Sequence, residues 1–288
     1  QDPNVVTWSS PDSPENPRNW SKWRKKSIIG VVSVYAFLSP LSSSMIAPAL
    51  PLLREDFNVT SSVVENMMLS VFILGYAIMP LLIAPLSEVY GRKNLLQSCN
   101  AFFLLFTLIC GFAQSAPQLI VFRLLAGLGG SAPLALGAGT IADLHAPEER
   151  GVAVSSYTLL TLLGPAVGPI MGGWIIQSLD RGDRWRWIFW ITAMFGSVIA
   201  LVGLCIYPET YAPRILQLKR MKIEKETGQK DLVTVFEKER GREGLRVRLK
   251  RNLTRPFLML GTKPIVQILA LYSEFSQDGK LRSLWLTP

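Results

Sequence analysis

The sequence of 288 residues contains a single histidine, His145, and only three cysteines. One histidine leaves almost no material for a histidine-based metal site or a catalytic triad. Cys99, Cys110 and Cys205 lie inside apolar stretches and form no CxxC pair, so we expect free thiols rather than a disulfide framework. Because no nucleophile–base pair or metal-ligand cluster can be assembled, we predict no catalytic residue, no metal, no cofactor and no enzyme activity.

Charged residues are missing from six long stretches of the chain. A helix needs roughly 20 predominantly apolar residues to cross a bilayer core of roughly 30 Å. A β-barrel would show short alternating segments instead. We therefore predict an all-α membrane protein in which a six-helix bundle occupies residues 27–208. The six stretches are Ser27–Leu53, Asn66–Ser87, Asn94–Phe122, Leu124–Ala142, Val152–Leu179 and Trp187–Pro208.

The net charge of +9 has a local origin that argues against nucleic-acid binding. Residues 208–264 contain 15 Lys/Arg against 7 Asp/Glu. This excess is typical of a loop that the positive-inside rule keeps in the cytoplasm, and binding of anionic lipid headgroups is a compatible secondary role. The cluster Lys22, Arg24, Lys25 and Lys26 places the tail, residues 1–26, on the same side. We predict a multi-pass protein with a cytoplasmic N-terminus and a basic cytoplasmic linker, residues 209–262.

Both ends of the sequence suggest a longer natural protein. There is no initiator Met and no apolar signal segment, so we expect the natural chain to begin earlier. A further apolar run starts at Lys263, but charged residues follow soon after Tyr272. About ten apolar residues are too few to cross a bilayer. We therefore predict that residues 263–288 are an incomplete seventh helix and an unrelated tail.

The short loop that follows the second stretch has a distinctive sequence, Ala84-Pro-Leu-Ser-Glu88-Val-Tyr-Gly91-Arg92-Lys93. A glycine permits a tight reversal between two spans. At the membrane edge, Glu88 can pair with a cation or with the positive N-terminal end of a helix. The alternative is a cytoplasmic turn with no further role, because Arg92 and Lys93 are sufficient for the positive-inside rule to keep the loop in the cytoplasm.

Arg123 is the only charge between Gln118 and Asp143. An arginine inside a membrane costs a few kcal/mol or more and normally faces a partner or a wet cavity. Because Arg123 lies close to the preceding link, snorkelling of its side chain to the membrane surface is the alternative. The glycines that follow it, including Gly127 and Gly129, suit close helix contact.

The fifth stretch carries Gly164-Pro165, Gly168-Pro169 and Gly172-Gly173 at four-residue spacing. An interior proline costs a helix roughly 3 kcal/mol in water. In a membrane, neighbouring helices can satisfy the freed backbone groups, and glycines let those helices approach closely. The run therefore predicts a weak point used for movement, a packing face, or both.

Together these motifs resemble those of the major facilitator superfamily, and specifically its fungal 12-helix drug:proton antiporter group. The loop around Gly91, the Arg123 helix and the Gly/Pro helix follow the family order, and Asn19-Trp20-Ser21 and Pro208-Glu209-Thr210 add to the likeness. There are departures from the family pattern. They are Ala84, Glu88, Val89 and Ala126, together with the sequence after Tyr272.

The resemblance implies two six-helix halves around a midplane cavity that opens alternately to each side. It implies that Arg123 couples protonation to transport and that the Gly/Pro helix bends and packs against the other half. Tyr35, Ser39 and Ser43 become candidates for the cavity, although helix packing explains this polar stripe equally well. The implied cytoplasmic gate consists of Glu88, Gly91, Arg92, Lys93, Asp143 and Arg150, and the implied antiporter motif consists of Gly164, Gly168, Pro169, Gly172 and Gly173.

By the same resemblance, the function is proton-coupled export of small amphiphilic or cationic compounds such as drugs, toxins or polyamines. The proton gradient would be the driving force, with no cofactor. The partners would be the substrate, the lipid bilayer and a missing C-terminal half. The plasma membrane is the expected location, with the vacuole as the alternative. A truncated, non-transporting or regulatory half-transporter is the second hypothesis.

Overall fold

The structure is a computed structural model that describes residues 4–179, 184–228 and 232–240, together with seven isolated helical residues between 254 and 268. The chain divides into two compact units, Gln1–Arg242 and Glu243–Pro288. The first unit contains the helical bundle. The predicted incomplete seventh helix and tail lie almost entirely outside the described residues.

In the first unit, the described chain is helical over most of its length. Its α-helices are α1 (Lys22–Ser44), α2 (Leu50–Asp56), α3 (Ser62–Ile78), α4 (Pro80–Tyr90), α5 (Arg92–Cys110), α6 (Ala116–Gly130), α7 (Ala132–Leu144), α8 (Arg150–Ser178), α9 (Arg184–Ile206), α10 (Ala212–Thr227) and α11 (Val235–Arg240). Two short strands, β1 (Val5–Val6) and β2 (Val233–Thr234), pair in parallel.

Among the described residues, five helical stretches are long and apolar enough to cross a membrane. A sixth is formed if α3 and α4, which meet at a bend of 42°, are taken as one span. The bend coincides with Pro80, the first residue of α4, which has no backbone N–H to continue the preceding helix. The prediction of an all-α membrane protein with six apolar spans is confirmed.

The third predicted stretch, Asn94–Phe122, was not a single span. Helix α5 ends at Cys110, and the chain turns before α6 begins at Ala116. The residues Ala116–Phe122 therefore belong to the next span, which continues through α7. The turn carries no charged side chain, and it coincides with the short uncharged link that the sequence predicts near Ala113–Gln118.

The position of α1 is central, since it packs against α8, α9 and α7 and also touches α3 and α6. Helix α6 packs against α3 and α5, and α5 also packs against α9. Glycines set the closest approach between α3 and α6. A Cβ at Gly75 would lie 2.6 Å from the carbonyl oxygen of Leu124, and one at Gly127 would collide with the backbone of Phe72. These two helices are therefore in backbone contact.

One end of the bundle, which we call the basic end, holds Lys26, Arg92, Arg150 and α10. Here the N-terminal tail contacts the linker in two places. Strand β1 of the tail pairs with β2 of the linker, and Glu15 of the tail forms an ion pair with Lys219 of the linker at 2.6 Å. The segment Pro17–Asn19 also packs against α7. The predicted tail and the first part of the predicted linker thus form one structural layer on the basic end.

Candidate functional site

Arg123 lies in the interior of the bundle, where its side chain is 1% exposed. Its Nη2 donates hydrogen bonds of 3.3 Å to the carbonyl oxygens of Ser43 on α1 and Leu69 on α3. The guanidinium carbon lies 5.4 Å from the ring centre of Phe72 and 6.0 Å from that of Phe189. The cation is therefore held by backbone dipoles and aromatic faces that come from three other helices, α1, α3 and α9.

No acidic side chain meets this arginine within the described part of the bundle, where none of the ion pairs includes Arg123. Its Nε is also buried without a hydrogen-bond partner there. Snorkelling, the alternative considered above, is not what the structure shows, because the guanidinium stays inside. A buried cation without a counter-charge lowers stability, and such residues in membranes usually serve function.

The three candidates for the cavity, Tyr35, Ser39 and Ser43, are all buried. The Tyr35 hydroxyl donates to Oε1 of Gln97 at 3.3 Å and packs against Gly203, between α5 and α9. Ser39 Oγ faces Gly130 of α6 and has no hydrogen-bond partner in the described residues. The structure thus places Ser43 at Arg123 and Ser39 at Gly130, both against α6, whereas Tyr35 lies between α5 and α9.

At the basic end, Arg92 and Asp143 form an ion pair between the start of α5 and the end of α7. Arg92 Nε donates to Asp143 Oδ2, and Nη2 lies 3.5 Å from Oδ1. The pair is partly buried, with side-chain exposures of 14% and 18%. The guanidinium also lies over the ring of Tyr211, at 5.3 Å. These contacts connect α5, α7 and the segment that precedes α10.

Glu209 is a member of this site that the sequence analysis did not identify. Its carboxylate accepts hydrogen bonds from the backbone N–H groups of Arg92 at 3.0 Å and Lys93 at 3.2 Å. It thereby satisfies unpaired donors at the N-terminus of α5 and complements the helix dipole. Gly91, with φ of +92°, makes the turn, and a Cβ there would collide with the Glu209 carboxylate. In the sequence, the feature that could have identified Glu209 is a single carboxylate directly after the last charge-free stretch, between Pro208 and Thr210.

The remaining gate candidates lie at the same end of the bundle. Glu88 is exposed in the last turn of α4, and Asp143 is the carboxylate that forms the ion pair with Arg92. Arg150 donates to the carbonyl oxygens of His145 at 3.2 Å and Ala142 at 3.1 Å. It therefore caps the C-terminal end of α7, where a cation is favourable.

The Gly/Pro motif divides between two faces of α8, which is continuous over Arg150–Ser178. Gly164, Gly168 and Gly172 are buried against α1, and a Cβ at Gly164 would lie 2.8 Å from the carbonyl oxygen of Phe37. Pro169 is exposed on the other face, and a Cβ at Gly173 would meet nothing within 4 Å. The glycine face is thus a packing surface within this half, and the proline face is open.

A six-span helical bundle with a buried arginine on its fourth span and a charged pair at its basic end is a polytopic helical membrane protein. The chain belongs to the Major Facilitator Superfamily, whose family model matches residues 32–280. This confirms the family resemblance on which the sequence analysis relied.

Curated relatives extend this result. The chain is 40% identical to the efflux pump radE of Floropilus chiversii over 275 residues, which is 96% of this chain and 50% of that protein. It is 43% identical to the MFS-type transporter penM of Penicillium rubens, over 94% of this chain and 52% of that protein. The chain spans about half the length of the curated relatives it matches. The prediction that it is not an enzyme is confirmed, since these relatives are named as a pump and a transporter.

Solved structures support the fold. The partially occluded inward-open form of the xylose transporter XylE from E. coli matches with a TM-score of 0.61 and 18% identity, over 85% of this chain and 61% of that one. A bacterial homologue of the human lysosomal transporter Spinster, in an inward-facing form, matches with a TM-score of 0.55 and 20% identity, over 67% and 45% of the two chains.

Proposed function

We propose that this chain is the N-terminal half of a proton-coupled exporter of small amphiphilic or cationic compounds. Relatives at about 40% identity are named as efflux pumps, which supports export rather than uptake. The six-span bundle corresponds to one half of a transporter that needs a second bundle to enclose a cavity. The substrate class is proposed from the likeness to drug:proton antiporters.

The observation that supports proton coupling is that Arg123 is buried with no counter-charge among the described residues. A cation held by carbonyl oxygens and aromatic faces is sensitive to any nearby change of charge, because the low-dielectric interior screens weakly. Protonation or deprotonation of a group in the cavity would change the free energy of this arrangement. Arg123 contacts α1 and α3 directly, so such a change would act on the packing of three helices.

We further propose that the basic end faces the cytoplasm and that the protein lies in the plasma membrane. The positive-inside rule favours this orientation, because Lys26, Arg92, Arg150 and α10 share that end. The ion pair of Arg92 with Asp143, and the cap that Glu209 provides, would then hold the cytoplasmic ends of α5, α7 and the linker together. In this gate, Glu209 joins the residues that the family motif implies.

The experiment joins this chain, in place of the native N-terminal half, to the C-terminal half of penM. The chimera is placed in inside-out vesicles with an acidic lumen, and accumulation of an amphiphilic cationic dye is followed. We expect accumulation that stops when a protonophore collapses the gradient. The Arg123→Met variant should lose it, while the matched control Arg54→Met, with a side chain that is 58% exposed, should keep it. If dye accumulation is unchanged by the protonophore and also unchanged in the Arg123→Met variant, the proposal is wrong.

A non-transporting half-transporter is the second candidate, because the chain spans only half the length of its curated relatives. In the same vesicles, this candidate predicts that the chain alone accumulates no dye, whereas the chimera does. Gradient-driven accumulation by the chain alone, at a rate that rises with the square of protein density, would instead indicate that two copies pair to form a transporter.

A further inference from the structure

The turn between α2 and α3 lies at the end of the bundle opposite the basic end, because α1 runs away from that end and α2 follows it. This turn carries the sequence Asn58-Val59-Thr60. It is the Asn-x-Ser/Thr pattern that accepts an N-linked glycan on surface loops outside the cytoplasm. The pattern alone decides little, since Asn19-Trp20-Ser21 and Asn252-Leu253-Thr254 also match it. What distinguishes the first of the three is its placement in the structure.

Side chains alternate in direction along this turn. Phe57 and Val59 pack against the apolar core of the bundle, whereas Asn58 and Thr60 are exposed. Asn58 and Thr60 also line one open depression of about 370 Å³. The two side chains that a glycosyltransferase must recognise are therefore reachable from the same side, while Phe57 and Val59 anchor the backbone.

The backbone of the turn is held by its own hydrogen bonds. Asn58 has a φ of +50°, a left-handed conformation that Asn tolerates better than most residues other than glycine. Its N–H donates to the carbonyl oxygen of Glu55 at 3.1 Å, and the N–H of Val59 donates to that of Arg54 at 2.9 Å. Arg54 also pairs across the turn with Glu65 of α3, at 3.7 Å. The turn therefore presents Asn58 at its apex without using the Asn58 side chain to hold its shape.

Helix length places this turn outside the hydrocarbon core. The helical stretch Lys22–Asp56 has 35 residues, whereas roughly 20 are enough to cross a core of roughly 30 Å. Residues Lys22–Lys26 lie at the basic end, which leaves about ten residues, or about 15 Å of helix, beyond the core at the other end. Charged side chains, which are costly inside a bilayer, surround the turn on both sides. They are Arg54, Glu55, Asp56 and Glu65.

We propose that Asn58 is N-glycosylated when the chain is inserted into the membrane of the endoplasmic reticulum. The proposal rests on the proposed orientation, in which the basic end faces the cytoplasm. The donor is an oligosaccharide joined to a lipid through pyrophosphate. Nδ2 of Asn58 forms a bond to C1 of the first sugar and loses a proton. The bond from C1 to the pyrophosphate oxygen breaks, and the lipid pyrophosphate leaves with that electron pair. Thr60 supplies the hydroxyl that the acceptor sequence requires.

Electrophoretic mobility of the full chain, expressed in yeast, tests this site. We expect one mobility shift, which an endoglycosidase specific for N-linked glycans removes. Asn58→Gln and Thr60→Val should both abolish the shift, whereas Thr60→Ser keeps the hydroxyl and should retain it. Glu55→Gln is the matched control, since Glu55 lines the same depression, and it should also retain the shift. An unaltered chain without the shift, or a shift that persists in Asn58→Gln, would overturn the proposal.

The two other matching sequences test the orientation on which the proposal rests. Asn19 lies at the basic end, where its Nδ2 donates to the carbonyl oxygens of Pro11 at 2.7 Å and Ser13 at 3.1 Å. Asn252 belongs to the predicted cytoplasmic linker and lies outside the described residues. We expect Asn19→Gln and Asn252→Gln to leave the mobility unchanged. If either substitution removes the glycan and Asn58→Gln does not, both the orientation and the glycosylation site are wrong.

A failure of the site can be separated from a failure of the orientation by labelling Asn58→Cys in sealed microsomes with a maleimide that cannot cross membranes. Labelling beyond that of the unaltered chain should appear only after detergent opens the microsomes. If it does so and the unaltered chain carries no glycan, the orientation holds and the glycosylation proposal alone is wrong. These measurements need no transport activity, so their failure leaves the proposed export function untouched.

Discussion

Two arginines of this chain occupy opposite environments. Arg123 lies inside the bundle, 1% exposed, with backbone carbonyl oxygens and aromatic rings as its partners. Arg92 lies at the basic end and pairs with the carboxylate of Asp143, while Glu209 caps the helix that Arg92 begins. Among the described residues, Arg123 has no counter-charge, whereas Arg92 has an ion-pair partner for its side chain and a hydrogen-bond acceptor for its backbone N–H.

The two arginines should therefore have opposite effects on the free energy of unfolding: Arg92 stabilises the fold and Arg123 destabilises it. Removing a charge that is paired at an edge breaks contacts between elements and should lower stability. Removing a buried charge without a counter-charge relieves a desolvation penalty, so an apolar replacement of similar size can be neutral or stabilising. A residue that costs stability persists where it serves function, and stability and transport should therefore respond in opposite ways at the two sites.

The largest expected effect is at Arg123. We expect Arg123→Met to lower proton-driven dye accumulation by the chimera about 100-fold, which is on the order of the loss when one preorganised polar group is removed from an active site. The midpoint of thermal unfolding should stay the same or rise. Transport assays and unfolding monitored by circular dichroism on the same preparation would test both parts.

Arg92→Met is the variant to compare with Arg123→Met. The midpoint of thermal unfolding of Arg92→Met should fall, because Asp143 would lose its ion-pair partner. If Arg123→Met unfolds at a clearly lower temperature than Arg92→Met, the interior arginine is a structural residue and the contrast between the two sites is wrong.

The next largest effect concerns the scaffold that places Arg123. Gly172 packs on the backbone of Met45, so Gly172→Leu should force α8 away from α1 and cost about 1–3 kcal/mol of stability. Gly173→Leu, one residue further along, adds the same side chain to open space and should cost almost nothing. Denaturant unfolding of both variants measures the difference. Equal stabilities would show that the small residues do not set this contact.

A smaller effect is expected from the edge pair itself. The coupling free energy between Arg92 and Asp143 should be about 1–2 kcal/mol, since the pair is charged, hydrogen-bonded and mostly buried. A double-mutant cycle with Arg92→Met, Asp143→Asn and the double variant gives this value. A second cycle that combines Glu88→Gln with Arg92→Met compares this value with the coupling of Arg92 to Glu88. A larger coupling through Glu88 would restore the lock that the family motif implies.

The fold was predictable from the sequence because membrane insertion depends on long stretches without charge. The span that contains the Gly/Pro run was placed correctly for that reason. The turn between Cys110 and Ala116 lies where an uncharged link near Ala113–Gln118 was predicted, but the stretch predicted for the next span began only at Leu124 and left Arg123 outside it. The bend at Pro80 was also missed, since a proline within an apolar run is compatible with both a straight and a broken span.

The site was less predictable than the fold, because its partners are distant in sequence. Arg123 stood out as a lone charge, but the carbonyl oxygens of Ser43 and Leu69 carry no signature that depends on side-chain type. Glu209 caps a helix that begins 117 residues earlier, and only the folded chain brings the two together. Sequence patterns therefore identify which residue is unusual, and the packing of helices decides what that residue contacts.

The smallest expected effect lies where the tail and linker meet, far from the interior charge. Glu237 is partly buried, which raises its pKa, but the N–H of Thr234 at 3.1 Å and the guanidinium of Arg220 at 2.7 Å together hold its pKa below the ordinary value of 4.5. Because the pKa is lowered in the folded state, the contribution of Glu237 is present above the unfolded value and is lost as the pH falls through the folded one. Near neutral pH, we expect the amide hydrogens of β1 and β2 to exchange more slowly in the unaltered protein than in Glu237→Gln. As the pH falls below about 4, the two exchange rates should converge. If exchange in the two proteins differs by a constant factor across this range, Glu237 does not titrate as proposed. The contrast would then be limited to the two arginines, because the pairing of Glu237 with Arg220 would contribute the same stability at every pH tested.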